Sequence, residues 1–308
     1  MKKIFIDGSA GTTGLRIHER LAARADLELL ILPDEVRKDP AARHDMLKSA
    51  DIAFLCLPDA AAIEAVELAK DCDVTIIDTS TAHRTNPAWA YGFAELSDAH
   101  RAAIVASKRV ANPGCHASGF VALVAPLVRA GLIAPDTALS CFSLTGYSGG
   151  GKKMIAEYEG EALDPLYTAP RQYGLSQKHK HLPEMCAVTG LSTAPAFCPI
   201  VANFYSGMEV TVPLFAKDLR GTAADICALY ADTYKKGLVR FVQAADENGF
   251  LSAAAFSGRD DMELSVVGND ERILLTARFD NLGKGASGAA IQNMNILLGV
   301  DEITGLCV

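Results

Sequence analysis

The sequence predicts an α/β protein with a Rossmann-type parallel-sheet domain followed by a second α+β domain. Three observations support this fold class. Apolar runs recur through the first hundred residues with helical patterns between them, a glycine-rich turn follows the first run, and a looser alternation begins after residue 115. A chain of 308 residues is long enough for two domains. We expect them to cover 1–114, completed by a C-terminal helix over 285–308, and 115–284.

The apolar runs of the first domain indicate parallel strands that are covered on both faces. These runs are "KIFID" (3–7), "LELLILP" (27–33), "IAFLCLP" (52–58), "VTIID" (74–78) and "IVAS" (104–107). The segments "LRIHERLAAR" and "AAAIEAVELAKD" between them have the apolar spacing of amphipathic helices. The first domain is therefore predicted as alternating strands and helices.

The second domain begins with the helical run "SGFVALVAPLVRAGL". We expect Pro126 to kink this helix and Gly131 to end it. The strand-like pieces "ALSCFSLTGYSG", "FCPIVANFYSGMEVTVPLF" and "RILLTARFDN" follow, and their alternation predicts a mixed or antiparallel sheet. Their apolar content favours a homodimer or homotetramer. The late segment "GKGASGAAIQNMNILLGV" predicts a glycine-rich turn and a helix that packs back on the first domain.

Composition excludes several classes of function. Half of the residues are hydrophobic and 21% are charged, which is typical of a globular protein. The net charge of -8, without a Lys/Arg cluster longer than a pair, argues against nucleic-acid binding. We find no signal-peptide pattern and no stretch that could span a membrane. The eight cysteines form no CxxC pair, so reduced thiols in a cytoplasmic protein are expected.

The turn "DGSAGTTG" predicts a dinucleotide-binding loop. Gly8, Gly11 and Gly14 lie between a predicted strand and a predicted helix, where the backbone can approach a pyrophosphate and helix amides can bind it. A glycine turn without a ligand is the alternative. The stretch "LPDEVRKDP" bears on the choice of dinucleotide, because Asp34 suits NAD whereas Arg37 and Lys38 suit NADP. This stretch leaves both cofactors open.

Cys115 is the candidate nucleophile. It follows the turn formed by Asn112, Pro113 and Gly114 and precedes a predicted helix. A thiol at a helix N-terminus is stabilised as the thiolate, and the free amides there can bind an oxyanion. A buried structural cysteine is the alternative, since cysteine is often plain core. We expect this turn to present the thiol for chemistry.

The segment "QKHKHLPEM" supplies candidate partners for the thiol, since histidine exchanges protons near neutral pH. It carries His179 and His181, with Glu184 close by. One H-x-H pair without a third ligand at a recognisable spacing predicts no metal site.

Five motifs together carry a family resemblance. "GSAGTTG", "NPGC", "LTGYSGGGKK", "HKHLPEM" and "NLGKGASGAAIQNMN", in this order, resemble the short form of the N-acetyl-gamma-glutamyl-phosphate reductase family, within the semialdehyde dehydrogenases. The resemblance covers nearly the whole chain. It implies NADP(H) as cofactor, a small-molecule substrate in arginine biosynthesis, and a second domain used for catalysis and oligomerisation.

The resemblance also implies roles for individual residues. Cys115 would attack an acyl phosphate to form a thioester, which NADPH reduces to N-acetyl-glutamate semialdehyde, and His179 would be the acid/base, although His181 stays open for that role. Many relatives carry a tyrosine after the cysteine, whereas this chain has His116. The implied substrate-binding residues are Arg84, Asn112, Ser148 and Gly149. The implied cofactor-binding residues are Gly8, Ser9, Gly11, Thr12, Thr13, Gly14, Arg37, Lys38, Pro58, Ser80, Asn281, Lys284 and Gly285.

Other functions stay open at this point. An aspartate-semialdehyde or glyceraldehyde-phosphate type dehydrogenase would share the chemistry, but the Asn-Pro-Gly turn before the cysteine argues against both. A relative that acts on a carrier-protein-linked substrate in lysine synthesis is harder to exclude. A nucleotide-sensing regulator would predict a broken cysteine or histidine motif, and neither is broken. A Cys-His hydrolase would have no use for the glycine loop.

Overall fold

A computed structural model describes residues 1–161, 163–243 and 245–308. The strands in chain order are β1 (Lys2–Asp7), β2 (Leu27–Leu30), β3 (Ile52–Leu55), β4 (Thr75–Asp78), β5 (Ala90–Tyr91), β6 (Arg109–Ala111), β7 (Ser140–Gly146), β8 (Arg171–Gln172), β9 (Ala196–Ala202), β10 (Met208–Phe215), β11 (Val239–Phe241), β12 (Met262–Gly268) and β13 (Arg272–Phe279). The α-helices are α1 (Thr12–Ala22), α2 (Pro40–Ser49), α3 (Asp59–Leu68), α4 (Asp98–Ala106), α5 (Cys115–Arg129), α6 (Gly151–Glu159), α7 (Leu182–Thr189), α8 (Ala223–Thr233) and α9 (Gly288–Leu298).

The chain divides into two compact units. The first unit comprises Met1–Ala94, Asp98–Gly114 and Ala286–Leu306. The second unit comprises Glu95–Ser97, Cys115–Gly285 and Cys307–Val308.

The first unit contains a parallel six-stranded sheet in the order β2-β1-β3-β4-β6-β5. Its strands are short and apolar, and β3 is buried along its whole length because helices cover both faces. On one face Ile4 and Ile6 of β1 pack in a core that includes Met294 of α9. On the other face Phe5 packs in a core that includes Leu47 of α2. The predicted Rossmann-type domain is confirmed.

The segment "IVAS" is not a strand, and this element of the prediction was wrong. Residues 104–106 form the end of α4, and the strand follows at Arg109–Ala111. Ile104 is fully buried whereas its neighbour Val105 is 60% exposed. The short apolar run is therefore the edge of an amphipathic helix, a pattern that four residues cannot distinguish from a strand.

The second unit contains a mixed seven-stranded sheet in the order β11-β12-β13-β10-β7-β9-β8. Side chains of β10 alternate between buried and partly exposed positions, because α5 covers only one face. A Cβ at Gly119 of α5 would lie 2.6 Å from a Val210 methyl group, so the helix approaches the sheet closely there. The helix continues past Pro126 to Arg129, and Gly131 follows with φ +72°. This α+β unit confirms the second part of the predicted fold class.

The last helix is shorter than predicted. A π-helical turn at Gly283–Ser287 leads into α9, which ends at Leu298 because Gly299 adopts the left-handed conformation with φ +68°. The side chains of α9 are buried nearly all round, as expected for a core helix. Within the described ranges we find no helix with the length and hydrophobicity needed to cross a membrane.

Candidate active site

A cavity of about 360 Å³ opens in the first unit at the carboxyl ends of β1, β2 and β3. This edge of a parallel sheet is where nucleotides bind in doubly wound folds. The predicted cofactor residues that line the cavity are Gly8, Ser9, Gly11, Arg37, Lys38 and Pro58. Thr12, Thr13 and Gly14 form the first turn of α1, directly behind the loop.

Two of the loop glycines are required by the backbone. Gly8 adopts φ +89°, and a Cβ there would collide with the carbonyl oxygen of Cys56. A Cβ at Gly14 would collide with the carbonyl oxygen of Gly8. The chain therefore folds back on itself and opens a cradle at the N-terminus of α1, where a pyrophosphate fits because helix amides attract it.

The other end of the cavity carries the charged residues of the "LPDEVRKDP" stretch. Arg37 and Lys38 line the wall together with Asp34, which accepts a 3.3 Å hydrogen bond from Arg37. Both partners of that ion pair are exposed, so solvent screens it and Arg37 can turn to an anionic ligand. The donor set fits a phosphorylated ribose better than a free ribose hydroxyl.

Ser80 is held in the loop after β4. Its hydroxyl donates to Asp78 at 2.7 Å, and its backbone amide donates to the same carboxylate at 2.9 Å. His83 shares this carboxylate at 2.6 Å and stacks on Trp89 with ring centroids 4.1 Å apart. The predicted cofactor residue Ser80 thus belongs to a buried network that shapes the loop.

Arg84 and Asn112 are buried in the first unit. The Arg84 guanidinium donates to the carbonyl oxygens of Asn112 and Thr79, both at 2.9 Å. The Asn112 side chain donates to the Ala286 carbonyl at 3.0 Å and accepts from Asn293 at 3.2 Å. Both predicted substrate residues therefore anchor the first residue of the Asn-Pro-Gly turn.

Cys115 is the first residue of α5 and is half-buried. A Cβ at Gly285 would lie 3.0 Å from the Cβ of Cys115, so the backbone at Gly285 packs directly against the thiol-bearing residue. The N-terminal end of α5 places partial positive charge beside this side chain. The thiol thus lies where a thiolate is favoured.

Aromatic side chains surround His116, the residue after Cys115. Its ring centroid lies 5.5 Å from that of His179, 5.6 Å from that of His181 and 6.0 Å from that of Tyr173. Its Nδ1 lies 2.7 Å from the Ser143 hydroxyl, and its Nε2 lies 2.6 Å from the Tyr173 hydroxyl. The structure thus brings the predicted pair His179 and His181 to the first turn of the helix that Cys115 begins.

The environment of His116 and His179 keeps both rings neutral. Burial lowers the pKa of His116 to about 3, with smaller contributions from the charges of His179 and Lys180. Burial and the neighbouring Lys180 also lower the pKa of His179. The backbone amide of His181 donates to Nδ1 of His179 at 3.2 Å. The proton of the neutral His179 ring is therefore on Nε2.

The predicted residues of the two later glycine-rich segments make defined contacts within the second unit. Asn281 accepts from the Gly207 amide at 2.9 Å and donates to the buried Ser148 hydroxyl at 3.1 Å. A Cβ at Gly149 would lie 3.3 Å from the same Asn281 amide nitrogen. The Lys284 ammonium forms a buried ion pair with Glu95 at 2.8 Å. Asn281 therefore fixes the loop that carries Ser148.

Sequence analysis missed Ser143, Tyr173, Asp280 and Glu95. Asp280 accepts from the amide of Leu282 at 2.7 Å and from the hydroxyl of Ser206 at 2.9 Å, and so shapes the segment before α9. Tyr173 precedes His179 by six positions, and that proximity was the only signal available for it. Ser143 is an unremarkable polar position in a strand, so only the fold reveals its partner.

Comparison with known families agrees with this arrangement. Residues 31–104 match a family model described as semialdehyde dehydrogenase, NAD binding domain. Residues 115–281 match one described as semialdehyde dehydrogenase, dimerisation domain.

Solved structures share the fold at low sequence identity. Aspartate semialdehyde dehydrogenase II from Vibrio cholerae, complexed with ASA, has a TM-score of 0.74 at 17% identity and covers 97% of this chain and 98% of its own. The Francisella tularensis aspartate semialdehyde dehydrogenase has a TM-score of 0.72 at 15% identity, and the match covers 97% of this chain and 100% of that one. These likenesses support the fold alone.

Curated relatives are much closer in sequence. The N-acetyl-gamma-glutamyl-phosphate reductase of Brucella anthropi is 48% identical over 307 residues, which cover 96% of this chain and 98% of the relative. The protein of the same name from Brucella ovis is 47% identical, and the match covers 96% of this chain and 99% of the relative. The resemblance carried by the five motifs is thereby confirmed, and the chain belongs to the N-acetyl-gamma-glutamyl-phosphate reductase family of the semialdehyde dehydrogenases.

Proposed function

We propose that the protein catalyses the NADPH-dependent reduction of N-acetyl-glutamyl 5-phosphate to N-acetyl-glutamate 5-semialdehyde and phosphate, a step of arginine biosynthesis. The observation that carries the chemistry is the position of Cys115 at the start of α5, against Gly285 and beside the cluster around His116. The acetylated substrate follows from the names of the relatives.

Cys115 acts as the nucleophile. Its thiolate attacks the acyl carbon, the bond from that carbon to the phosphate oxygen breaks, and phosphate leaves with the electron pair and takes up a proton from solvent. A thioester to Cys115 remains. After reduction at its carbonyl carbon, the bond from carbon to sulfur breaks, which releases the aldehyde and regenerates the thiolate. The N-terminal amides of α5 stabilise both the thiolate and the charged acyl oxygen.

His179 serves this reaction as a hydrogen-bond donor through Nε2. The amide of His181 occupies Nδ1, so a second proton on the ring would break that hydrogen bond. A neutral imidazole that donates from Nε2 can bind the leaving phosphate without carrying a charge itself. This role differs from the acid/base role that the family resemblance implies, and it leaves His181 as the residue that fixes the ring.

The cavity in the first unit fits NADP(H). The cradle that Gly8 and Gly14 open would hold the pyrophosphate, while Arg37 and Lys38 would hold the 2′-phosphate. When bound, the cofactor supplies the hydride that reduces the thioester carbon. Pro58 forms the adjoining wall at the N-terminus of α3.

A second copy of the chain is the proposed partner, and the protein is proposed to act in the cytoplasm as a homodimer or homotetramer. The outer face of the mixed sheet carries large apolar side chains: Phe142 is 45% exposed, Phe215 54% and Leu274 39%. An apolar face of this kind is typical of an interaction surface. A charge introduced by Phe142→Glu should lower the molar mass measured by light scattering, whereas an unchanged mass would contradict a dimer through this face.

The reverse reaction tests the proposed function. Purified protein is mixed with N-acetyl-glutamate semialdehyde, phosphate and NADP, and the absorbance of the reduced nicotinamide is followed. We expect phosphate-dependent reduction of NADP, with aspartate semialdehyde as a much poorer substrate. Equal rates with aspartate semialdehyde, or a rate that does not depend on phosphate, would contradict the proposal.

A further inference from the structure

Three side chains form a hydrogen-bonded chain through His116. Ser143 on β7 lies 2.7 Å from Nδ1 of the imidazole, and the hydroxyl of Tyr173 lies 2.6 Å from Nε2. Tyr173 follows β8 directly, so the chain joins the first turn of α5 to two strands. Both nitrogens of the ring are engaged, which fixes its orientation.

The burial of Ser143 determines which way the protons point. Ser143 is fully buried, and within the described part of the chain its hydroxyl has Nδ1 of His116 as its only side-chain hydrogen-bond partner. If Nδ1 carried the proton, the serine proton would be buried without an acceptor, at a cost of about 1–3 kcal/mol. Ser143 therefore donates to Nδ1, and the ring proton lies on Nε2.

The direction of the second hydrogen bond follows. Nε2 of His116 donates to the phenolic oxygen of Tyr173, so that oxygen acts as the acceptor. The O–H proton of Tyr173 is then available to a ligand, since within the described ranges the phenol is hydrogen-bonded to His116 alone. A hydroxyl that accepts one hydrogen bond becomes a better donor for another.

Tyr173 lies close enough to Cys115 for the two groups to interact electrostatically. Burial, together with the negative charge of the Cys115 thiolate, raises the pKa of Tyr173 well above its usual range. The phenol therefore keeps its proton at neutral pH. Its ring centroid also lies 6.0 Å from that of His179.

We propose that Tyr173 is a catalytic hydrogen-bond donor to the acyl oxygen of the substrate carbon bound to Cys115, and that Ser143 and His116 are positioning residues that aim its O–H. This inference rests on the proposed function. Tyr173 transfers no proton: its O–H bond stays intact, and the hydrogen bond strengthens as charge grows on the oxygen in the transition state.

Tyr173→Phe tests the donor. Removal of one such donor should lower kcat about 100-fold with little change in KM. The rate at which iodoacetamide alkylates Cys115 should stay within about twofold of wild type, because the nucleophile itself is intact. Tyr167→Phe is the matched control, since it removes a phenolic hydroxyl of the same unit and should keep wild-type kcat. Equal kcat values for Tyr173→Phe and wild type would overturn the proposal.

Two variants of His116 test the positioning role even where Tyr173→Phe folds poorly. Gln has an amide nitrogen that can donate to Tyr173 and an oxygen that can accept from Ser143, whereas Met fills the space without either group. We expect His116→Gln to keep at least about tenfold more activity than His116→Met. Equal activities of the two folded variants would show that His116 only fills volume, and this would overturn the role.

The outcomes separate this inference from the proposed function. If wild type itself fails to reduce NADP with N-acetyl-glutamate semialdehyde, the proposed function fails. A different result separates the two claims. If wild type reacts, but Tyr173→Phe is as active as Tyr167→Phe and His116→Met is as active as His116→Gln, the proposed function stands. The hydrogen-bonded chain then has no catalytic role.

Discussion

The Nε of Arg84 donates a 2.9 Å hydrogen bond to the backbone carbonyl oxygen of Asn112, three residues before Cys115. The buried guanidinium thereby holds the turn that presents the nucleophile. Arg84→Gln should lower the free energy of unfolding by about 1–3 kcal/mol, because it leaves buried carbonyl oxygens without donors. It should also lower kcat more than it raises KM.

Urea denaturation and steady-state kinetics check this expectation. Arg220→Gln, at an exposed position of the second unit, is the control and should change neither quantity. A large rise in KM with unchanged stability would contradict this structural role and indicate that Arg84 binds the substrate directly, as the family resemblance implies.

The charged end of the nucleotide cavity should determine cofactor preference. Replacement of Arg37 and Lys38 by Gln removes the two cations that line it. We expect the double variant to bind NADPH about 10–100-fold more weakly, a loss of about 1.4–2.7 kcal/mol. Solvent screening at this exposed site keeps the loss below the sum of two charge-assisted hydrogen bonds of about 1.5–3 kcal/mol each. Binding of NADH should stay the same. Fluorescence titration with both nucleotides measures this, and an equal loss for NADH would place the two cations elsewhere than at the 2′-phosphate.

The close approach of Gly285 to Cys115 should make this position intolerant of a side chain. A Cβ there would lie 3.0 Å from the Cβ of Cys115 and 3.1 Å from the carbonyl oxygen of Asp280. Gly285→Ala should displace the nucleophile by a few tenths of an ångström and lower kcat at least about tenfold. The thermal midpoint serves as the internal control. Wild-type kcat in this variant would show that the contact does not constrain the thiol.

The buried His116 should make the protein labile to acid. Its folded pKa is about 3 and its ordinary value is 6.5, so the unfolded chain binds the extra proton first. The contribution of the neutral His116 to the free energy of unfolding is complete above pH 6.5. It is lost as pH falls from 6.5 towards 3, and each pH unit in this range lowers the folding equilibrium constant by up to about tenfold. Urea midpoints at pH 7.5 and pH 5 should differ less in His116→Gln than in wild type. An equal difference in both proteins would show that other groups control acid unfolding.

Much of the fold is local in sequence and could be predicted. The loop glycines of the first unit form a motif of neighbouring residues. The buried strands are recognisable as short apolar runs, because parallel strands in this fold are uniformly apolar. The strand prediction for the segment "IVAS" was wrong because four residues carry too little periodicity to distinguish a helix end from a strand. The C-terminal helix ends earlier than predicted, at Gly299, which is a helix-ending glycine in the left-handed conformation like Gly131.

The candidate site was predictable only in part. Cys115 could be identified because it follows the Asn-Pro-Gly turn, and His179 because it belongs to a paired histidine motif. The contacts of His116 were not predictable, because Ser143 and Tyr173 lie 27 and 57 positions away and only the folded sheet brings them together. Arg84 was identified by its residue type, but its partners are backbone carbonyl oxygens that no sequence pattern marks.

Detection of the acyl-enzyme tests the central claim most directly. Protein freed of cofactor is mixed with freshly prepared N-acetyl-glutamyl phosphate, and its intact mass and peptide masses are measured by mass spectrometry. We expect wild type to gain one N-acetyl-glutamyl group on the peptide that carries Cys115, and to lose it when NADPH is added, while Cys115→Ser gains no thioester. An active wild type without the adduct, or with the adduct on another cysteine, would contradict the assignment of Cys115 as the nucleophile.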